Sequence, residues 1–312
     1  MPRAIQAPLP PWAGALAEKL RRQRTEDGGY APSAGFPARS DTTAWAGLAL
    51  QTAGFPQPEA SAWLERHQGA DGSVWLQEAG PRPEQRPGQR YQLGWVTPIA
   101  VMLWSLNGDF AAACRRGSAF LTESHGRQIP TAPEIIGHDG MLRGWSWISA
   151  THSWVEPTSQ AMLALSGSAP APEVKKRLDE GRALLLNRQL PEGGWNYGNT
   201  RTLGTVLRPT PESTALALAA LEATGGAEGL EASRRYLIRE TGRDPAPLSI
   251  GWAAIALRRQ LPPQALLESL RAAAAREPEF APYPLEWLAV LLLGTASALG
   301  QPLPWDPPGS VR

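Results

Sequence analysis

Apolar and polar residues divide this chain into alternating segments of helical length. Six segments carry charged residues on one side and leucine or alanine on the other, which is typical of amphipathic surface helices. Each is followed by a segment that is apolar nearly all round, which is typical of a buried helix. The surface segments are residues 12–24, 58–67, 110–123, 172–189, 230–239 and 264–276, and the buried segments are residues 41–50, 97–104, 156–165, 212–221, 249–257 and 285–293.

The turns that follow the surface helices also repeat. Residues 20–30, 64–75 and 186–195 each close a helix with glutamine, turn through an acidic residue and glycine, and end on an aromatic residue. Residues 138–145 are a weaker copy without the glutamine in place. Glycine supplies the positive φ that such a turn needs. We expect the glutamine amide to reach free carbonyls at the helix end and the aromatic ring to pack over that end.

One arrangement accounts for six hairpins, each made of one surface helix and one buried helix. The buried helices form a ring, the surface helices sheathe it, and closure hides the two edges that an open solenoid would leave. The sequence therefore predicts an all-α protein, an (α/α)6 toroid of about six hairpins, with an open solenoid as the alternative. One continuous core makes residues 1–312 a single domain, with residues 1–10 and 302–312 as flexible or extended termini.

Composition narrows the classes of function. The formal net charge is +1 and the basic residues are scattered, which argues against nucleic-acid binding. Cys114 is the single cysteine, so neither an internal disulfide nor a zinc site of several thiolates is expected. No aspartate cluster of the kind that holds magnesium and diphosphate is present, and we expect no metal and no cofactor. Without an apolar leader or a bilayer-length apolar run, a cytoplasmic location is expected.

The glutamine–glycine–tryptophan turns resemble the QW motif of squalene-hopene and oxidosqualene cyclases. The order of hairpins resembles the toroid of their superfamily, which includes the protein prenyltransferases. The resemblance covers nearly the whole chain, as repeat architecture rather than as a full set of active-site signatures. It implies one toroid, where full squalene cyclases carry two, and an isoprenoid or lipid as the small-molecule partner. Peripheral contact with a membrane and the oligomeric state are left open.

One short motif of that family locates a candidate acid. Class II cyclases protonate an alkene or epoxide with the middle aspartate of Asp-x-Asp-Asp-Thr-Ala, and oxidosqualene cyclases have Ser-Asp-Cys-Thr-Ala. Residues 39–44 of this chain read Arg-Ser-Asp-Thr-Thr-Ala. The resemblance therefore places Asp41 at the acid, while Arg39 and Thr42 replace the two outer aspartates of the longer motif.

Glu156 and Glu212 begin two other buried segments, and His152 precedes Glu156 by one helical turn. If these groups converge at one rim of the ring, neighbouring carboxylates could share a proton. His152 would then orient or reprotonate an acid. The alternative is that the carboxylates, Asp41 among them, cap or charge the first turn of a helix, and that the histidine bonds a loop.

Aromatic residues are the second candidate feature, since the chain has 13 tryptophans. Those on buried segments or in the loops that enter them could line a cavity and stabilise a carbocation by cation–π attraction. The alternative is that they fill the space between packed helices. The candidate ligand-binding residues are Trp45, Trp95, Trp104, Trp147, Trp154, Tyr197 and Trp252.

Three functions follow from these features. The first is an enzyme of the isomerase or lyase class that cyclises or isomerises an isoprenoid by protonation in an aromatic-lined central cavity. The second is a non-catalytic toroid that binds isoprenoids or lipids or acts as a scaffold. The third is a polysaccharide lyase or hydrolase on the same fold, for which Tyr197 and His152 are the available pair.

Overall fold

The computed structural model describes residues 8–76, 94–130, 135–243, 246–277 and 282–307. These residues form twelve α-helices, two 3₁₀ turns (Gly94–Val96 and Gly108–Phe110) and a short hairpin of β1 (Arg201–Thr202) and β2 (Thr205–Val206). The helices are α1 (Pro11–Arg21), α2 (Ser40–Thr52), α3 (Pro58–Arg66), α4 (Thr97–Ser105), α5 (Ala111–Glu123), α6 (Val155–Ser166), α7 (Pro172–Arg188), α8 (Pro211–Ala223), α9 (Glu231–Thr241), α10 (Pro247–Leu257), α11 (Pro263–Ala275) and α12 (Leu285–Ala298). Each predicted segment coincides with one of these helices, so the helical prediction is confirmed.

The even-numbered helices form a closed ring. Each contacts the next in chain order, and α12 contacts α2. Each odd-numbered helix packs outside, between two consecutive members of the ring, and α1 covers the junction of α12 and α2. The all-α (α/α)6 toroid is therefore confirmed and the open solenoid is wrong. Within the described part of the chain, no helix is both long enough and apolar enough to cross a bilayer.

The repeated turns have the predicted backbone. Gly28, Gly72 and Gly193 take φ values of +90°, +88° and +93°, which a side chain would strain. Trp195 packs back onto the helix before its turn, and its Nε1 donates to the carbonyl of Leu185 on α7 at 2.7 Å. The aromatic residue thus covers the helix end as the repeat predicts.

The glutamine of the turn has a different partner from the one predicted. Gln68 Nε2 donates to the Gly72 carbonyl at 2.9 Å and to the Ala113 carbonyl of α5 at 3.0 Å. Gln189 Nε2 donates to Ser233 Oγ of α9 at 2.9 Å. The amide therefore joins its own turn to the next outer helix, and so ties neighbouring hairpins together.

Threonines fix the rotation of three inner helices. The fourth residue of each helix accepts a hydrogen bond from the backbone N–H of the aromatic residue in the preceding turn, at 2.9–3.0 Å. The threonines are Thr43, Thr158 and Thr214. The second residue of a helix lies about 200° around the axis from the fourth. When the threonine faces the outer turn, the second residue therefore faces the interior of the ring.

The C-terminal segment, residues 302–307, packs against the core. Leu303 and Trp305 are buried, and Asp306 forms an ion pair with Arg258 of the α10 end. Residues 1–7 and 308–312 lie outside the described residues.

Candidate active site

Four carboxyl groups occupy one structural position, the second residue of an inner helix. They are Asp41 on α2, Glu156 on α6, Glu212 on α8 and Glu286 on α12. Helices α6 and α12 are on opposite sides of the ring, yet the charge of Glu286 influences the ionisation of Glu156. These side chains therefore project into the ring at one end. The convergence predicted from the sequence is found, and it includes a fourth member, Glu286, whose repeat position was the available signal.

Burial raises the pKa of all three glutamates, and repulsion from other acids adds to the shift for Glu156 and Glu286. Burial, with Glu212 and then Glu286 adding repulsion, raises the pKa of Glu156 well above its usual value. Burial raises the pKa of Glu212. Burial, then Glu212 and Asp41, raises the pKa of Glu286 to about 7. The folded site therefore favours the protonated form of all three carboxyl groups.

Asp41 is in a different electrostatic state. Arg39 donates from Nε to Oδ1 at 3.0 Å and from a terminal nitrogen to Oδ2 at 2.5 Å. Such a bidentate pair fixes the carboxylate of Asp41 against the guanidinium. Arg39 stands where the resembled motif has its first aspartate, so a basic residue replaces an acidic one beside the predicted acid. The role of Asp41 as proton donor stays a prediction.

Capping does not explain the carboxylates. The N-cap of α8 is Thr210, whose Oγ1 accepts from the Ser213 N–H at 3.4 Å, and Glu212 lies inside the helix. Glu156 instead accepts from Gln160 Nε2 at 3.2 Å, one turn deeper in the ring. The predicted alternative of first-turn charge is also weakened, because a helix N-terminus stabilises an ionised group and Glu156 and Glu212 have raised pKa values.

One turn below the acids, the ring is filled. Trp45 and Trp252 come from α2 and α10, which are not neighbours in the ring, and their rings meet edge to face at 5.9 Å. They are 2% and 1% exposed, so the prediction that they line an open central cavity is wrong: large side chains close the middle of the toroid. Trp45 Nε1 and Gln160 Oε1 nevertheless have no hydrogen-bond partner among the described residues. The interior thus contains two unpaired polar atoms one turn below the carboxyl groups.

Trp104 does not reach the interior at all. Its Nε1 donates to the carbonyl of Ser61 on the outer helix α3 at 3.1 Å, and the side chain is 1% exposed. The predicted ligand contact for Trp104 is wrong, and the alternative, filling between helices, is what the structure has. The hydrophobic pattern could not distinguish a tryptophan that contacts a ligand from one that packs between helices, because α4 is apolar on every side.

The remaining aromatic candidates lie at the mouth of the ring, on both sides of the segment 144–154. A cavity of about 760 Å³ contains Trp147, His152, Trp154 and Tyr197 in its wall. A smaller one of about 360 Å³ contains Trp95. Between the two cavities, the rings of Trp95 and Trp147 meet edge to face, with centroids 5.6 Å apart. The structure thus brings these five predicted residues together.

The larger cavity adjoins the carboxyl groups. Trp154 and Thr210 belong to its wall and are the N-cap residues of α6 and α8, two residues before Glu156 and Glu212. The His152 ring packs on Trp154 with centroids 4.1 Å apart. Burial, with Arg188 nearby, lowers the pKa of His152, so it is neutral near pH 7. Among the described residues, no group of three or more His, Cys, Asp or Glu side chains could hold a metal ion.

Comparison with known proteins gives a fold and no closer relationship. No protein-family model matches the sequence, and no curated protein is similar to it in sequence. The D109N variant of the type II terpene cyclase MstE from Scytonema, in complex with geranylgeranyl dihydroxybenzoate, has a similar structure: the TM-score is 0.53 at 14% identity, over 95% of this chain and 84% of that one. The ent-copalyl diphosphate synthase from Streptomyces platensis gives 0.50 at 20% identity, over 92% of this chain. This chain covers 46% of that synthase.

The same fold also carries a different chemistry. An alpha-amylase from Clostridium perfringens has a TM-score of 0.62 at 9% identity, over 96% of this chain and 99% of that one. Identities this low establish the toroid and not the reaction. The chain thus has the toroid fold that class II terpene cyclases share with enzymes of carbohydrate chemistry. The fold leaves the reaction open, and the chain's own carboxyl and aromatic groups determine it.

Proposed function

We propose that this protein is an enzyme of the class II terpene cyclase type, which cyclises or isomerises an isoprenoid by protonating it at the mouth of the ring. One observation carries the proposal: Glu156 is a carboxylic acid that burial and two other glutamates keep neutral, beside an aromatic-walled cavity. A neutral carboxyl group is what protonation of a double bond requires, and an apolar aromatic wall suits a greasy substrate.

The chemical step conserves atoms. The O–H bond of Glu156 breaks as its proton forms a C–H bond with the π electrons of a double bond, which leaves a carbocation at the other carbon. A second double bond can attack that cation and close a ring. Loss of a proton from a neighbouring carbon forms the last double bond. His152, neutral because burial and Arg188 lower its pKa, accepts this proton and returns it to Glu156, so the product is an isomer of the substrate.

The other residues have supporting roles in this proposal. Glu212 and Glu286 keep Glu156 protonated by repulsion. Asp41, which is paired with Arg39, stabilises the developing cation. Trp147 and Trp154 contribute cation–π attraction of about 0.5–2 kcal/mol each.

The test is incubation with squalene and with geranylgeranyl diphosphate, with products identified by mass spectrometry. Glu156→Gln keeps the shape and removes the proton, so turnover should fall at least about 100-fold. The same change at Glu268, which is exposed on α11, is the matched control and should retain full activity. Undiminished turnover by Glu156→Gln would remove this residue from the mechanism.

Asp41→Asn tests whether the proton donor is Glu156 or the aspartate of the resembled motif. If Asp41 is an anionic stabiliser, its loss should slow turnover without abolishing it. If Asp41→Asn is inactive while Glu156→Gln is active, the motif and not the neutral glutamate locates the acid.

A second candidate function, glycoside hydrolysis, is favoured by the presence of several carboxyl groups in different surroundings at one mouth of the ring. That reaction uses one ionised and one protonated carboxyl group. Malto- and cello-oligosaccharides therefore belong in the same substrate panel. Turnover of a sugar but no isoprenoid would select the hydrolase, and isoprenoid binding without any turnover would select the non-catalytic carrier.

A further inference from the structure

The larger mouth cavity has an apolar side and a basic side. Trp147, Ile148, Trp154 and Leu207 make up much of its apolar wall. No carboxylate is among its lining residues in the described part of the chain, whereas Arg208 is. A cavity beside four carboxyl groups would ordinarily be expected to attract cations, so a basic side calls for a different ligand.

Arg208 is held in place by its backbone. The N–H of Leu207 donates to the Thr200 carbonyl at 3.1 Å, and the Tyr236 hydroxyl donates to the Pro209 carbonyl at 2.9 Å. Among the described residues, the Arg208 guanidinium has no ion pair and no hydrogen bond. Arg208 is therefore an exposed cation on an anchored stretch of backbone, at the wall of the cavity and without an ion-pair partner among the described residues.

A second guanidinium lies behind the cavity. Arg188 is 3% exposed and donates to the Gly198 carbonyl at 2.7 Å and to the Asp139 carbonyl at 3.3 Å. It makes no ion pair with a carboxylate of the described residues. Its charge helps to lower the pKa of His152, after burial, which shows that the positive field extends to the cavity wall.

We propose that this cavity binds the anionic head group of an isoprenoid, a phosphate or carboxylate, with Arg208 as its charge partner and the tail directed past Trp154 to the carboxyl ring. The inference rests on the proposed function and gives its substrate a chemical class: an amphiphile with a negative head, in preference to a neutral hydrocarbon. Arg208 binds the head group by a charge-assisted hydrogen bond, and the aromatic wall contacts the first part of the isoprenoid chain. Neither Arg208 nor Arg188 was apparent from the sequence, because only the folded loops bring them to one cavity.

Isothermal titration with geranylgeranyl diphosphate and with geranylgeraniol, both below their micelle concentrations, tests the head-group site. Wild-type protein should bind the diphosphate more tightly than the alcohol. Arg208→Gln should weaken diphosphate binding about tenfold and change alcohol binding less than about twofold. Arg271→Gln, an exposed position on α11, is the matched control and should bind both ligands as wild type does.

Three results would overturn the inference: equal wild-type affinity for the two ligands, no loss of diphosphate affinity in Arg208→Gln, or an equal loss for both ligands, which would indicate a changed cavity shape. Arg208→Lys should recover part of the diphosphate affinity if charge is what matters. If the binding pattern holds while no substrate is turned over, the head-group site stands and the enzymatic proposal fails.

Discussion

Carboxyl groups at equivalent positions of one ring have different immediate neighbours here. Asp41 has a guanidinium two residues away, whereas Glu156 has an amide one turn below and other acids across the ring. Groups whose surroundings separate their ionisation in this way can take opposite roles in one reaction. The residue types alone do not reveal this, because both are acids at the start of an apolar helix.

Glu286 provides a prediction about stability and pH. Burial, Glu212 and Asp41 raise its pKa from 4.5 to about 7, so the folded state binds this proton more tightly than the unfolded state does. The resulting stability is complete below pH 4.5 and is lost as the pH rises through 7. The loss amounts to at most about 3 kcal/mol. Glu286→Gln is neutral throughout, so its stability relative to wild type should rise over this range and then level off.

Urea unfolding of wild type and Glu286→Gln at pH 4.5, 6, 7 and 8 measures that difference. The lowest pH serves as the reference, since the folded Glu286 is then neutral and the unfolded one is only about half ionised. A stability difference that is constant with pH would show that Glu286 is not a buried acid of the ring.

At the scale of elements, the glutamine of the repeated turn connects adjacent hairpins. Gln68 donates to two carbonyls, one of them on α5, and Gln23, at the same position of the first turn, makes no side-chain hydrogen bond among the described residues. Gln68→Ala leaves two acceptors without this donor and should lower the free energy of unfolding by about 1–3 kcal/mol. Gln23→Ala is the repeat-matched control and should cost less. Equal costs, measured by thermal unfolding, would mean that the link between hairpins contributes nothing.

The elements themselves were predictable, and their rotations were not. The alternation of amphipathic and apolar segments gave all twelve helices, and the repeat placed the acids at helix starts. An inner helix is apolar on every side, so no periodicity says which residues face the ring and which face the outer layer. That is why Trp104 was wrongly assigned to a cavity, and why the filling of the ring by Trp45 and Trp252 was missed. Rotation depends on partners far away in sequence, such as Thr158 with Trp145.

At the scale of the whole molecule, closure of the ring creates the site. Glu156 and Glu286 are brought within electrostatic reach because α12 joins α2 and completes the circle. An open solenoid of the same hairpins would keep these residues apart and would leave each acid exposed to water. The neutral acid is therefore a property of the closed toroid, and no single hairpin of the repeat contains it.

Closure depends on a close approach of α10 and α12, where two glycines face each other. A Cβ on Gly294 would lie 2.6 Å from the Gly251 carbonyl oxygen and 3.1 Å from its Cα. Because the obstacle is backbone, Gly294→Ala must push the two helices apart, and we expect it to cost about 1–3 kcal/mol of unfolding free energy. Gly14→Ala is the matched control on the outer helix α1, where nothing lies within 4 Å and alanine should add up to about 1 kcal/mol. In urea unfolding the two variants should therefore move in opposite directions from wild type. A Gly294→Ala protein as stable as Gly14→Ala would mean that the ring closes more loosely than these two backbones indicate.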